Sequence, residues 1–386
     1  MIPATATTTG VSPIVSPGYV RLAGGRITEV GPGSPPGRPD IELTSGFLVP
    51  GLVDLQVNGY FGVELGDADP VGWAEVVRRL PETGTTSFLP TFITSPVDDM
   101  VAALHATAGF APGLNSETAG ARVLGVHLEG PFIAASRRGA HNAAWIISPD
   151  PDTVGALIAA GSGLVRVVTL APEIDGAIAA IKQLTAAGVI ASVGHSDATA
   201  AQVAAAASAG ARLVTHLFNA QRPLHHREPG VVGQALTDSR LSSGLIADLH
   251  HVTGAIAGLA FRAAPGRIFL VTDAAASAGM APGRYVLGGE PIDVSGADGT
   301  PPERADGTLA GSALRMDRAI ANLVAIGIGL PDAVAAATRI PADLIGRPDI
   351  GRIEAAAAAD LTWLNDDLST AATWVSGSQV YGSSLG

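Results

Sequence analysis

Apolar and polar positions follow two regimes along the chain. In the N-terminal part, short β-like pieces at 18–22 (GYVRL), 26–30 (RITEV), 41–43 (IEL) and 47–49 (FLV) are cut by Gly and Pro, with a turn through PGSPPGRPD. Such spacing predicts a small antiparallel sheet. After Pro50-Gly51 longer apolar runs take over, at 52–57, 86–92, 123–128, 164–170, 189–193, 213–215, 244–248 and 268–272. Helical stretches such as 70–80, 174–187 and 254–263 separate them. Eight strands alternating with helices over about 220 residues predict an α/β fold of the (β/α)8 barrel type, which typically needs about 250. A doubly wound open sheet competes, but the polar residues are spread over many strand ends rather than gathered at one switch point.

A Gly/Pro-rich insertion at 288–308 reads as a lid, a substrate-contacting loop or a solvated connection. Two helices are expected next, at 312–326 and 331–337, before DLTWLNDD and AATWVSG return to a β pattern. Pairing these last pieces with the N-terminal strands gives one small β-sandwich-like domain built from both chain ends. The expected division is 1–50 and 346–386 for that domain and 51–345 for the catalytic barrel. No internal repeat stands out beyond the βα alternation.

Composition narrows the class. With 47% hydrophobic and 15% charged residues the chain is compact rather than disordered. No apolar run of about 18 residues predicts a membrane span, and MIPATATTTG has no basic region followed by an apolar segment, so no signal peptide is expected. A cytoplasmic enzyme is the default. The net charge of −12 disfavours nucleic acid and anionic membranes as partners, without excluding a small phosphorylated ligand. Cysteine is absent, so any metal must be held by His, Asp or Glu.

Candidate chemistry gathers at strand ends. VIASVGHS places His195 at the tip of one run and RLVTHLFNA places His216 at the tip of the next. Between them lies an Ala-rich helix, with Asp197 as expected N-cap and Gly210 as stop. Parallel strands send both histidines to the same carboxyl edge, where they either share a cation or are separately hydrogen-bonded. VLGVHLEGP adds Glu129, with His127 on the same face, and RIFLVTDA adds Asp273. Glu129, His195 and His216 make a plausible three-ligand set with room for water, leaving Asp273 free as a base. Four polar tips on strands three, five, six and eight are far more specific than any one of them.

LVPGLVDLQVNG, GVHLEGPF, GAHN, SVGHSDAT, THLFNA, REPG, VTDA and DGTLAGS together resemble the N-acetylglucosamine-6-phosphate deacetylases of the amidohydrolase superfamily. The resemblance implies a metal-bearing barrel with a small β domain, usually a homodimer, that cleaves acetate from an amino sugar phosphate and leaves glucosamine 6-phosphate. By motif it makes Glu129, His195 and His216 the metal ligands, Asp273 the acid/base and His141 the residue that polarises the acetamide carbonyl. Asn219, Ala220, His251 and Leu309 match substrate-contacting positions, although the adjacent His250 leaves the His251 alignment open by one residue. Arg227 matches a phosphate contact that reaches across the dimer. His127 reads as a wall residue, His105 as a helix-surface residue, and His225 and His226 as loop residues beside Arg227. Many amidohydrolases hold a second metal with His-x-His at the end of strand one. Here that place reads Gln56-Val57-Asn58, which points to one divalent ion per subunit, zinc first, with iron or another divalent ion open. The following Gly59-Tyr60-Phe61-Gly62 is bulkier than the Gly-rich continuation common in the family, a difference that bears on the shape of the sugar pocket rather than on the reaction.

Overall fold

A computed structural model describes residues 14–117, 119–296 and 299–383, so the 1–10 stretch read for a signal peptide lies outside the described residues. Eight parallel strands follow one another around a barrel: β1 (Leu52–Val57), β2 (Thr85–Ile93), β3 (Val126–Glu129), β4 (Val165–Leu170), β5 (Ile190–Val193), β6 (Leu213–Val214), β7 (Ser242–Leu245) and β8 (Ile268–Leu270). Each pairs with its sequence neighbour, as βα units require. The seam between β8 and β1 carries no ladder. It is closed past the strand ends by a Val57–Ala274 bridge, with Asp273 N donating to Gln56 O at 2.9 Å and Asn58 N to Ala274 O at 2.8 Å.

The helices form where caps and apolar spacing agree. Pro70–Arg79 starts on Asp69, whose carboxylate accepts from the amides of Val71 and Gly72, has Pro at its first turn, and buries Trp73, Val76 and Val77 on one face. Burying each such side chain contributes about 1.5–3 kcal/mol. Ala200–Ala209 departs from expectation at its start: Thr199, not Asp197, is the N-cap, in a capping box with Gln202, and Gly210 ends it. The Asp197 carboxylate is engaged elsewhere, by Arg137 at 2.7 Å and Arg222 at 2.9 Å.

Other departures have local causes. The run 123–128 is broken at Gly125, whose φ of 139° only glycine adopts readily. Arg122–Val123 pairs with β2 alone, and β3 resumes at Val126. Within the expected 288–308 insertion, Gly288 and Gly289 instead turn a hairpin between Gly283–Leu287 and Glu290–Val294. Among the described residues the piece 41–43 pairs with no strand and is not itself one, and the expected helix at 312–326 begins only at Met316, because Ser312 bridges Ala274.

Both chain ends meet in a four-stranded antiparallel sheet, ordered Phe47–Pro50, Leu361–Leu364, Thr370–Val375 and Ser378–Tyr381. The hairpin Gly18–Ala23/Arg26–Pro32 docks on it, with Ile27 N donating to Ala357 O at 2.9 Å and Ile27 packed among Ala357, Ala359, Leu361, Ala372 and Trp374. Arg122 forks onto buried Asp360 and so ties this sheet to the barrel. Among the described residues, no helix is long and apolar enough to cross a membrane.

Candidate metal and catalytic site

The carboxyl edge of the barrel opens into a cavity of about 330 Å³, lined in part by Asn58, Glu129, His141, His195, His216 and Asp273. Strand alternation carries these tips inward, and the backbone then bends sharply. His195, His216 and Asp273 have φ of 46°, 26° and 52°, a left-handed region that non-glycine residues enter at a cost of about 1–3 kcal/mol each. Such strain at three strand ends in one cavity marks a functional constraint.

His195 Nε2 and His216 Nε2 stand 3.1 and 2.8 Å from Glu129 Oε1, and 3.1 Å from each other. His195 Nδ1 donates to the carbonyl of Arg137 at 2.9 Å, which turns the Nε2 lone pair toward Glu129. Gly139 leaves that ring its space: a Cβ there would stand 3.3 Å from His195 Cε1. Among the described residues the buried His216 Nδ1 has no hydrogen-bond partner, so the ring meets Glu129 and His195 through Nε2. Burial lowers the basicity of His216, but its hydrogen bond to Glu129 and that carboxylate's charge outweigh burial and bring it up to about 8. Burial opposes ionisation of Glu129, yet His195 and His216 hold it well below the usual carboxylate range. A carboxylate and two imidazole nitrogens, buried and converging on one point, suit a divalent cation, which would take the place of the proton that His216 otherwise holds.

His141 sits beside this set. Its ring centroid is 4.4 Å from that of His195, and one ligand atom each of Glu129, His141 and His195 lie within 4.8 Å of one another. Its Nδ1 accepts from Thr94 N at 3.4 Å and lies 2.8 Å from Thr94 Oγ1, which assigns the proton to Nε2. Burial, then the charge on His195, push His141 down to about 3, so it is a neutral donor rather than a cation.

Asp273 is fixed through one oxygen. Its Oδ1 accepts from Gln56 Nε2 at 2.9 Å and Asn58 Nδ2 at 2.7 Å, and Oδ2 has no hydrogen bond among the described residues. Gln56 Nε2 also reaches Glu129 Oε1 at 3.1 Å. The two amides read as poor metal ligands thus serve as donors to carboxylates. Burial, then the charge of Glu129, raise Asp273 to about 6.

Asn219, Ala220, Leu309 and His251 all line the cavity, and His250 is exposed outside it. His251 Nδ1 donates to Asp248 Oδ2 at 2.6 Å, leaving Nε2 as an acceptor. Sequence reasoning missed Asp248 and Thr94 as partners of site histidines. The spacing Asp248-Leu249-His250-His251 was a readable signal for the first, whereas Thr94 lies 47 residues from His141 and left none. Arg227 does not line the cavity: it is exposed beside His225 and His226, with Nη1 2.8 Å from His226 Nε2. His127 is a buried wall residue, held by Thr169 Oγ1 at 2.7 Å and the carbonyl of Leu55 at 3.2 Å, and His105 is exposed on its helix.

A parallel barrel with two histidines and two carboxylates at its carboxyl edge is the arrangement of the amidohydrolases, and an amidohydrolase family profile matches residues 47–380. N-acetylglucosamine-6-phosphate deacetylase of Bos taurus is 40% identical, over 86% of this chain and 83% of its own. N-acetylgalactosamine-6-phosphate deacetylase of Escherichia coli O157:H7 is 37% identical, over 87% and 88%. The structure of a Mycobacterium smegmatis N-acetyl-D-glucosamine-6-phosphate deacetylase variant, in complex with N-acetyl-D-glucosamine-6-phosphate, superposes with a TM-score of 0.90 at 37% identity, covering 96% of both chains. The chain belongs to the N-acetylglucosamine-6-phosphate deacetylase family.

Proposed function

We propose that this protein hydrolyses N-acetylglucosamine 6-phosphate to acetate and glucosamine 6-phosphate, a step of amino sugar catabolism. The observation that carries the reading is Asp273: a buried carboxylate, held by two amides on one oxygen, beside a converging Glu129–His195–His216 set. Glu129, His195 and His216 would hold one divalent cation, zinc first, and when bound it supplies Lewis-acid polarisation of the acetamide and acidifies a water. His141, through Nε2–H, donates to the carbonyl oxygen as negative charge develops there. Asp273 accepts the water proton through Oδ2 and passes it to the departing amine. A proton affinity raised to about 6 suits both steps near neutrality. Asn219, Ala220, His251 and Leu309 contact the sugar.

Arg227 has no place at the site of its own subunit. Its exposed loop position suits a guanidinium that reaches the phosphate of a partner's substrate in a homodimer. The barrel at 51–345, flanked by 1–50 and 346–386 as one β domain, and a cytoplasmic location complete the reading.

The test is acetate release from N-acetyl amino sugars with and without a 6-phosphate, including the galactosamine epimer, using protein of known metal content. Acetate from N-acetylglucosamine 6-phosphate in preference to the others is expected. Equal turnover of unphosphorylated sugars would remove the phosphate role of Arg227, and no acetate from any of them would end the proposal.

A further inference from the structure

The β8–β1 seam has no ladder between its strands and is closed only at the level of Asp273, by the Val57–Ala274 bridge; a second buried carboxylate spans it there. Asp54, 1% exposed on β1, accepts from Thr272 Oγ1 at 2.6 Å with one oxygen. With the other it accepts from Thr272 N at 3.2 Å and Gln56 N at 3.1 Å. Thr272 Oγ1 in turn accepts from Ala274 N at 3.3 Å, so the backbone is gripped on both sides of Asp273. Ser312 completes the clamp, donating through Oγ to Thr272 O at 2.5 Å and through N to Asp273 O at 2.8 Å. Gln56, whose amide nitrogen Asp54 holds, is the residue whose side chain bridges Asp273 and Glu129.

We propose that Asp54 is a positioning residue of the reaction: through Thr272 and Gln56 it sets where the Asp273 carboxylate stands in the cavity. Asp54 itself does not line the cavity. The left-handed φ of 52° at Asp273 is costly for a non-glycine residue and is kept by the bonds around it. Asp54 holds Thr272 and Gln56, the residue before Asp273 and the residue that its N–H meets, and a misplacement of about 1 Å at a reacting group lowers rate on the order of a hundredfold. The proposal rests on the deacetylase reading above.

Thr272→Val is isosteric and removes the hydroxyl that Asp54 holds, Thr272→Ser restores it, and Asp54→Asn removes the charge while keeping the shape. Expected for Thr272→Val and Asp54→Asn is a kcat lower by about tenfold or more, with KM within about twofold and unchanged metal content. Thr272→Ser should stay near wild type, and the double variant should be no worse than either single one. Crystal structures of wild type and Thr272→Val should show the Asp273 carboxylate displaced by about 0.5 Å or more. Unchanged kcat in both variants overturns the proposal. So does a Ser variant as impaired as Val, a loss that tracks metal content or folded fraction, or an Asp273 that does not move. If Thr272→Val does not fold, Asp54→Asn alone carries both the kinetic and the structural comparison. Wild-type protein that releases no acetate refutes the deacetylase reading instead, and the structural comparison then still decides the positioning.

Discussion

Replacing Asp273 by asparagine keeps the size and shape of the side chain and removes its ability to take a proton. Gln56 Nε2 and Asn58 Nδ2 both donate to Oδ1, at 2.9 and 2.7 Å. An asparagine must therefore turn its own oxygen toward them, which places its NH2 where Oδ2 faces the cavity. A donor then stands where the attacking water needs an acceptor. Glu129 cannot substitute, since His195 and His216 engage it and hold it well below the usual carboxylate range. General acid–base groups contribute about 10²–10⁴-fold. With no residual base, a loss of about 10³-fold in kcat is expected, equivalent to about 4 kcal/mol of barrier. Folding should not suffer. Burial and the neighbouring Glu129 charge already disfavour an ionised Asp273, so the neutral amide should match or exceed the wild-type thermal midpoint at pH 8. The assay is acetate release at saturating substrate, with metal per chain and thermal midpoint measured on the same preparation. Turnover within about tenfold of wild type at full metal content would refute the role of Asp273.

Glu64 offers a stability test away from the chemistry. Burial raises its carboxyl from 4.5 to about 7, although it accepts a 2.6 Å bond from Gly288 N. The folded state thus binds a proton that the unfolded state releases between those values, so stability present below pH 4.5 is lost as pH rises through about 7. The shift corresponds to about 3 kcal/mol; Glu64→Gln should raise the midpoint at pH 8 by about 3–4 °C and change nothing at pH 4, as calorimetry can show. Chelation should lower the wild-type midpoint, whereas Glu129→Gln, assayed by elemental analysis, should retain little metal and show almost no further response to chelator. Hybrid dimers of Asp273→Asn and Arg227→Met chains should regain acetate release, because one site then combines an intact Asp273 with the partner chain's Arg227. Mixtures no more active than the separate variants would place Arg227 outside the partner's site.

The barrel was readable because its strands are apolar runs bounded by turn residues, and β1, Pro70–Arg79 and Gly254–Ala263 start and stop within a residue of expectation. Misreadings arose where one residue had two competing partners. Asp197 is a good cap in isolation, but Arg137 lies 60 residues away and captures it, while Thr199 and Gln202 form the box that their own spacing advertised. The hairpin 283–294 was hidden because Gly283–Leu287 is mostly exposed and without alternation, and its Gly288-Gly289 turn reads as the start of an insertion. At the site, side chains at strand tips could be grouped by chemistry and order. Their hydrogen-bond partners could not, since the amides of Gln56 and Asn58 meet Asp273 across 217 and 215 residues and only barrel closure brings them together.

The bond from His195 Nδ1 ends on the main-chain carbonyl of Arg137 rather than on a side chain. Every amino acid except those that distort the turn presents the same oxygen there. The side chain at 137 goes to Asp197 instead, so a substitution there that keeps the turn breaks that ion pair while the imidazole keeps its tautomer and aim. The aim of His195 and the Arg137–Asp197 ion pair are in this way mutationally separable at a single codon.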